Sequence, residues 1–364
     1  MQFKEIQNYL EQYAPPYYQE SYDNSGLLVG NASVEVSGTL ICLDMTEEVV
    51  DEAIRLGYNV IIAHHPIIFK GLKRLTGKNY VERTVIKAVK NDILLYAMHT
   101  NLDNVSMGIN RILGEKLGLE NLHILSPKTE LLKKLITYVP LRHLDEVRAA
   151  IFEVGAGTIG NYDQCSFTVE GVGTFRAGDK TQAFVGEKGK LHQEKEVRLE
   201  TIFPAYLQQN ILAALLKSHP YEEVAYDIYS LDNELSSVGA GMIGKLPEAM
   251  FVEDFLMSVK EKLQVGVIKY TDIGRQKIQR IAWCGGSGSF LINLAKAKGA
   301  ELFLTGDITY HQFFDHENKM IIADIGHYES EQFGKELIFN LLIEKFPNFA
   351  ARICVHNTNP VKYL

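Results

Sequence analysis

Val60-Ile61-Ile62-Ala63-His64-His65-Pro66 is the stretch on which the fold turns. Its apolar run, with three β-branched residues, is too short for a helix and has the length and composition of a buried strand. It stops on two adjacent histidines, and Pro66, which has no backbone N–H, bars a simple continuation. Upstream, Thr39–Asp44 (TLICLD), bounded by Gly38, reads as a second strand. Between the two, Thr46 is placed to cap a helix, Glu47 and Glu48 occupy its first turn where the dipole favours them, and Gly57 supplies a left-handed stop. This β-α-β spacing is what a parallel sheet with covering helices requires.

The alternation extends in both directions. Residues 3–13 form a helix ended by Pro15-Pro16, and Leu27–Gly30 is a short strand. A helix at 80–90 and a strand at 93–98 follow, then the loop His99–Asn104 and a helix capped by Ser106 that ends near Gly118. The pattern lapses near residue 126 and resumes after Asp232, with strands at 241–244, 278–284, 301–305, 320–324 and 351–355 and helices at 252–263, 290–298 and 328–345. The expected fold class is therefore α/β: a discontinuous outer domain, 1–126 plus 234–364, with a mostly parallel sheet. The intervening segment, 127–233, reads strand, helix, two strands, helix, strand, which is the ferredoxin-like βαββαβ order of a module able to fold alone.

Composition narrows the class. A length of 364 residues suits two domains, each with its own core. A net charge of -8 argues against a broad nucleic-acid-binding face or attraction to an anionic membrane. No apolar run approaches bilayer length, and Met1–Glu5 begins no signal-peptide pattern. Cys42, Cys165, Cys284 and Cys354 are far apart with no C-x-x-C, as expected of reduced thiols in a cytoplasmic protein.

In an open parallel α/β sheet, ligands bind beyond the carboxyl ends of the strands. His64, His65, Asp103, Asp307, His311 and His327 all lie at or just after such ends. His327 and Glu331 are spaced i,i+4, so a helix presents both on one face. Taken singly, each has an ordinary reading: a hydrogen-bonded strand-end histidine, an Asx turn at Asp103, a surface ion pair in a first helical turn. Together, imidazoles and carboxylates converging from strand ends point to a metal site built from His64, His65, Asp103, His327 and Glu331. With no thiolate, the set suits Zn, Mn, Fe or Co, with Mg also admissible. A carboxylate can bridge two divalent ions roughly 3.5–4 Å apart, a hydrolytic arrangement that activates water. Asp44, His99, Asp307 and His311 are candidates for supporting or proton-transfer roles. Gly285-Gly286-Ser287-Gly288 matches no phosphate-loop pattern and reads as a tight strand-to-helix turn, with anion binding as the other option, and Lys70, Lys73 and Arg74 form a basic loop after the His pair.

Ile62-Ala63-His64-His65-Pro66, His99-Thr100-Asn101-Leu102-Asp103, Thr305-Gly306-Asp307 and Gly326-His327 through Glu331, with Asp23-Asn24-Ser25-Gly26-Leu27, resemble the NIF-three-like family, whose members are often labelled GTP cyclohydrolase 1 type 2 homologs. The resemblance covers the whole outer domain. It implies two divalent ions per chain held by His64, His65, Asp103, His327 and Glu331, a toroidal homohexamer, and a small-molecule or nucleotide substrate. GTP is the named candidate, with water attacking C8 of guanine and formate leaving. Gly173-Thr174-Phe175-Arg176 and His219-Pro220-Tyr221-Glu222-Glu223 resemble the PII-like or CutA-like insert of longer members. The competing expectation is a metal-binding regulatory or metal-handling protein, gated by that insert and without turnover. An open coordination position beside a substrate pocket separates the enzyme from it.

Overall fold

The computed structural model describes residues 1–364 other than 273 and 275. It divides into two compact units, Met1–Pro127 with Ser236–Leu364, and Lys128–Leu235. The strands of the first segment are β1 (Gly26–Val29), β2 (Thr39–Cys42), β3 (Val60–Ala63), β4 (Leu94–Ala97) and β5 (Glu120–Lys128). The second unit contributes β6 (Leu132–Pro140), β7 (Phe167–Arg176), β8 (Leu191–Pro204) and β9 (Tyr226–Leu231). The chain then forms β10 (Leu235–Phe251), β11 (Lys269–Tyr270), β12 (Lys277–Ser287), β13 (Leu302–Gly306), β14 (Ile321–Asp324) and β15 (Ala351–Ile353).

The first unit holds two sheets where the sequence suggested one. One has the order β1-β4-β3-β2-β15, parallel from β4 to β15, with β1 antiparallel at its edge. The other has the order β11-β14-β13-β12-β10-β5, in which β12, β13 and β14 are parallel while β10 and β11 run against them. β5 escaped the sequence reading because its exposed and half-buried residues give no sustained alternation. β2, β3 and β4 are buried throughout, as strands covered on both faces must be, so they read as continuous apolar runs.

Helix Glu47–Leu56 starts where Thr46 accepts a bond from the Val49 amide and stops at Gly57, whose φ of 70° is left-handed. Its Val49, Val50 and Ala53 pack with Leu40, Ile61 and Leu95 beneath it. In the second sheet the anchor is Trp283, fully buried, whose Nε1 donates to the Asn110 carbonyl at 2.7 Å. A Cβ on Gly114 would stand 2.4 Å from that indole, so glycine lets helix Ile109–Leu117 lie against it.

In the second unit, helices Leu144–Glu153 and Gln208–Ser218 accompany a four-stranded antiparallel sheet of order β7-β8-β6-β9. Its core joins Leu135, Val139, Leu199 and Phe203 to Val147, Ile151, Ile211 and Leu215 of the helices. Among the described residues, no helix is long and apolar enough to cross a membrane.

Candidate metal centre

Register explains why the site forms. Cys42 pairs with Ala63, and Ala63 with Ala97, so β2, β3 and β4 end level with one another. The residues that follow, Asp44, His64, His65 and His99, therefore emerge along one edge. In the second sheet Thr305 pairs with Asp324, which brings Asp307 beside His327. Helix His327–Glu331 then turns Glu331 back over the first edge. Asp103 lies on a short helix, Thr100–Asn104, where the sequence suggested a loop.

Hydrogen bonds at Nδ1 fix how the three rings are turned. His64 Nδ1 lies 2.8 Å from the Met98 carbonyl, which only accepts, so the proton is on Nδ1 and Nε2 keeps its lone pair. His65 Nδ1 is 2.7 Å from Asp44 Oδ1, and His327 Nδ1 is 2.7 Å from Asp307 Oδ2. The Nε2 atoms of all three converge on Glu331. Its Oε2 lies 3.0 Å from His65 Nε2 and 3.1 Å from His327 Nε2, while its Oε1 lies 3.8 Å from His64 Nε2. One carboxylate thus serves two donor groups, His64 with Asp103 and His65 with His327.

His64 Nε2 and Asp103 Oδ1 are buried and have no hydrogen-bond partner. They stand 3.7 Å apart, too far to bond each other. Two ligands about 2.1 Å from one ion lie about 3–3.5 Å apart, slightly closer than this pair, so a small inward shift would let both atoms reach one cation. Charge points the same way. Burial lowers the His64 pKa to about 4, which keeps the ring neutral and its lone pair available. Burial, followed by the charge of Glu331, holds Asp103 well above the usual carboxylate range. Burial opposes ionisation of Glu331 as well, but the imidazoles beside it, His327 foremost, hold it well below that range. For His65, burial is outweighed by the flanking Asp44 and Glu331 carboxylates, which raise it to about 9. His327 is raised to about 11 in the same way, by Asp307 and Glu331, so without an ion two imidazoliums supply the positive charge beside Glu331, and a divalent cation would take their place on displacing those protons. The donor set fits divalent cations.

The model of the Duf34/NIF3 (NGG1p interacting factor 3) family matches residues 1–360. The chain belongs to the Duf34/NIF3 family. It is 38% identical over 369 residues to a Bacillus subtilis protein named GTP cyclohydrolase 1 type 2 homolog, covering 99% of this chain and 98% of that one. The crystal structure of a Bacillus cereus protein related to NIF3 superposes with a TM-score of 0.86 at 40% identity, covering 100% of this chain and 99% of the other. A Staphylococcus aureus crystal structure gives a TM-score of 0.80 at 33% identity over 100% and 99% of the two chains.

In this family member, other residues complete the centre. His99 brings a ring nitrogen within 4.8 Å of one on each of His64 and His65, while its Nδ1 sits 2.6 Å from Asp23 Oδ1. Asp23 also accepts from the Thr100 amide at 3.0 Å and from the Thr100 hydroxyl. Burial opposes its charge, but the bond with His99 prevails and holds its pKa far below the usual range. Asp44 is clamped from its other side by Thr358 Oγ1 at 2.6 Å. Gly286 has a φ of 62°, and a Cβ there would stand 2.2 Å from Glu331 Oε1, so the Gly285–Gly288 turn makes room for the shared carboxylate. His311 belongs elsewhere: it is exposed, with its ring stacked on Phe314 at 6.4 Å, because residues 310–316 coil into a 3-10 turn past the strand end. Lys70, Lys73 and Arg74 are exposed on their loop. The centre opens into a cavity of about 1270 Å³ whose walls include Phe69, Tyr80, Phe290, Tyr328 and Val361.

Proposed function

We propose that the chain is a dinuclear, divalent-metal-dependent hydrolase acting on a nucleotide or related heterocycle, with hydrolytic opening of the guanine ring of GTP and loss of formate as the candidate reaction. The observation that carries this reading is the division of the Glu331 carboxylate between two buried donor groups, one of which leaves His64 Nε2 and Asp103 Oδ1 unpartnered. His64, Asp103 and Glu331 would hold one ion, and His65, His327 and Glu331 the other. Bound divalent ions supply Lewis acidity and activate water at neutral pH.

The chain's own residues do the rest. Asp44 and Asp307 hold the Nδ1–H of His65 and His327 and so aim each Nε2 inward. Asp23 holds His99 at the cluster's edge, where the ring can bond a substrate's reacting edge. The cavity beside the cluster, large enough for a nucleotide, favours an enzyme over a closed metal store. Its wall carries Glu20, Glu47, Glu48 and Glu329 against Arg83 and Lys269, so bound cations would favour entry of a polyphosphate. The element and strand order of Lys128–Leu235 support a ferredoxin-like insert, and the family resemblance supports a hexameric ring and zinc as an occupant.

Metal analysis of purified protein should give close to two divalent ions per chain; none after reconstitution would end the reading. The metal-loaded protein is then incubated with GTP while formate, ammonia and phosphate are scored separately. Formate release is expected, and silence in all three channels would remove the catalytic part.

A further inference from the structure

Two stretches named from the sequence have no place in the metal centre: Gly173-Thr174-Phe175-Arg176 and His219-Pro220-Tyr221-Glu222-Glu223. Both meet at a cavity of about 620 Å³ that lies wholly within Lys128–Leu235. Along β8, Val197, Leu199 and Phe203 point into the helix-covered core, so Glu196 and Arg198 lie on the opposite face of the sheet. Directly across from Glu196 on β7 is Gly171, and a Cβ there would meet nothing within 4 Å. At Gly173 a Cβ would strike Glu196 Oε2 at 2.1 Å. Gly173 therefore makes room for the carboxylate, and Gly171 leaves open space on β7 opposite it.

That carboxylate is oriented. Its Oε1 accepts from the Tyr221 hydroxyl at 2.8 Å. Tyr221 is itself set by His219, whose Nε2 donates to the Tyr138 carbonyl at 3.0 Å while its Nδ1 accepts from the Tyr221 amide at 3.1 Å. With both nitrogens engaged, His219 is a brace. Glu222 accepts from the Gln182 amide at 2.9 and 3.1 Å, pinning the loop that carries Phe184. Phe175 and Phe184 each lie 6.1 Å from the Tyr221 ring, and all three rings border the cavity. Arg176 and Arg198 border it too, Arg198 paired with Glu200 at 2.9 Å, and Glu170, Glu222 and Glu223 lie on the same lining, with Glu222 turned to the Gln182 amide.

Aromatic walls accept a flat ring. A carboxylate bonds N–H donors, most strongly when two stand side by side. Guanidinium groups take an anionic tail. A 2-amino-6-oxo purine offers N1–H and its 2-amine as adjacent donors, whereas adenine offers a donor beside an acceptor. We infer that this cavity binds a guanine-type nucleoside monophosphate, with the base edge on Glu196, the ring among Phe175, Phe184 and Tyr221, and the phosphate towards the arginines. The cavity is of ordinary size for such a ligand. The inference rests on no part of the metal reading.

The test is calorimetric titration of the full chain with guanosine 5′-monophosphate and, separately, inosine 5′-monophosphate, which lacks the 2-amine. Saturable binding of one guanosine monophosphate per chain is expected, with inosine monophosphate weaker by about tenfold. Glu196→Gln, nearly isosteric, should weaken guanosine monophosphate by a similar factor. Gly171→Leu, which fills open space, should abolish binding while circular dichroism stays unchanged. Glu331→Ala should leave binding intact. Absence of saturable binding, equal affinity for the two nucleotides, undiminished binding by Glu196→Gln, or loss in Glu331→Ala would each overturn the inference.

Discussion

The two strand edges that meet at the centre are built differently. The edge after β3 and β4 is closed: His64 has no exposed side-chain area, and its ring is held by a backbone carbonyl that cannot rotate away. The edge after β13 and β14 is open: His327 is 39% exposed, and the Asp307 that orients it is 53% exposed. Glu331, 4% exposed, belongs by sequence to the open edge yet faces both. In the dinuclear arrangement proposed above, the ion held by His64 and Asp103 would lie wholly on the closed edge, the ion held by His65 and His327 would span both edges, and Glu331 would serve each.

That asymmetry can be broken in graded steps. Glu331→Ala removes the shared ligand, and metal analysis should then find both ions gone while circular dichroism reports an intact fold; unchanged metal content would mean that the edges do not share a ligand. His327→Ala should remove one ion and leave the His64–Asp103 ion in place, as counted by the same analysis. Challenge of the loaded protein with a chelator should give two phases, the ion held by His65 and the exposed His327 leaving first; a single phase would erase the distinction between edges. Thr358→Val, which frees one side of Asp44, should weaken only the ion held by His65, by about tenfold in a competition titration, at the low end for residues that brace a metal ligand.

Much of this centre is legible in the sequence because parallel strands announce their own ends. The runs at 60–63, 94–97 and 321–324 are buried on both faces, so their apolar content is continuous and the first polar residue marks the edge. The i,i+4 spacing of His327 and Glu331 is likewise a local signal. What the sequence withholds is contact between distant positions. Asp23 meets His99 from 76 residues away, and Thr358 meets Asp44 from 314 away, with no periodicity to betray either. Gly286 looks like any turn glycine until Glu331 is seen against it. The split into two sheets is hidden too, since strand direction and partner follow from packing that a single chain read in order does not express. His311 misled because it follows β13 closely, yet the chain coils before reaching the edge.

β15 carries one more consequence. It lies alongside β2, pairing Ala351 with Thr39, and Cys354 beside it contacts Glu52 from 302 positions away. During synthesis, β2 leaves the ribosome long before the strand that covers its flank exists. Until then β2 presents a buried-type apolar edge with nothing alongside it, a template for unwanted pairing. The closed half of the centre is thus finished late, and a chain stalled between residues 235 and 350 should depend on chaperones to stay soluble.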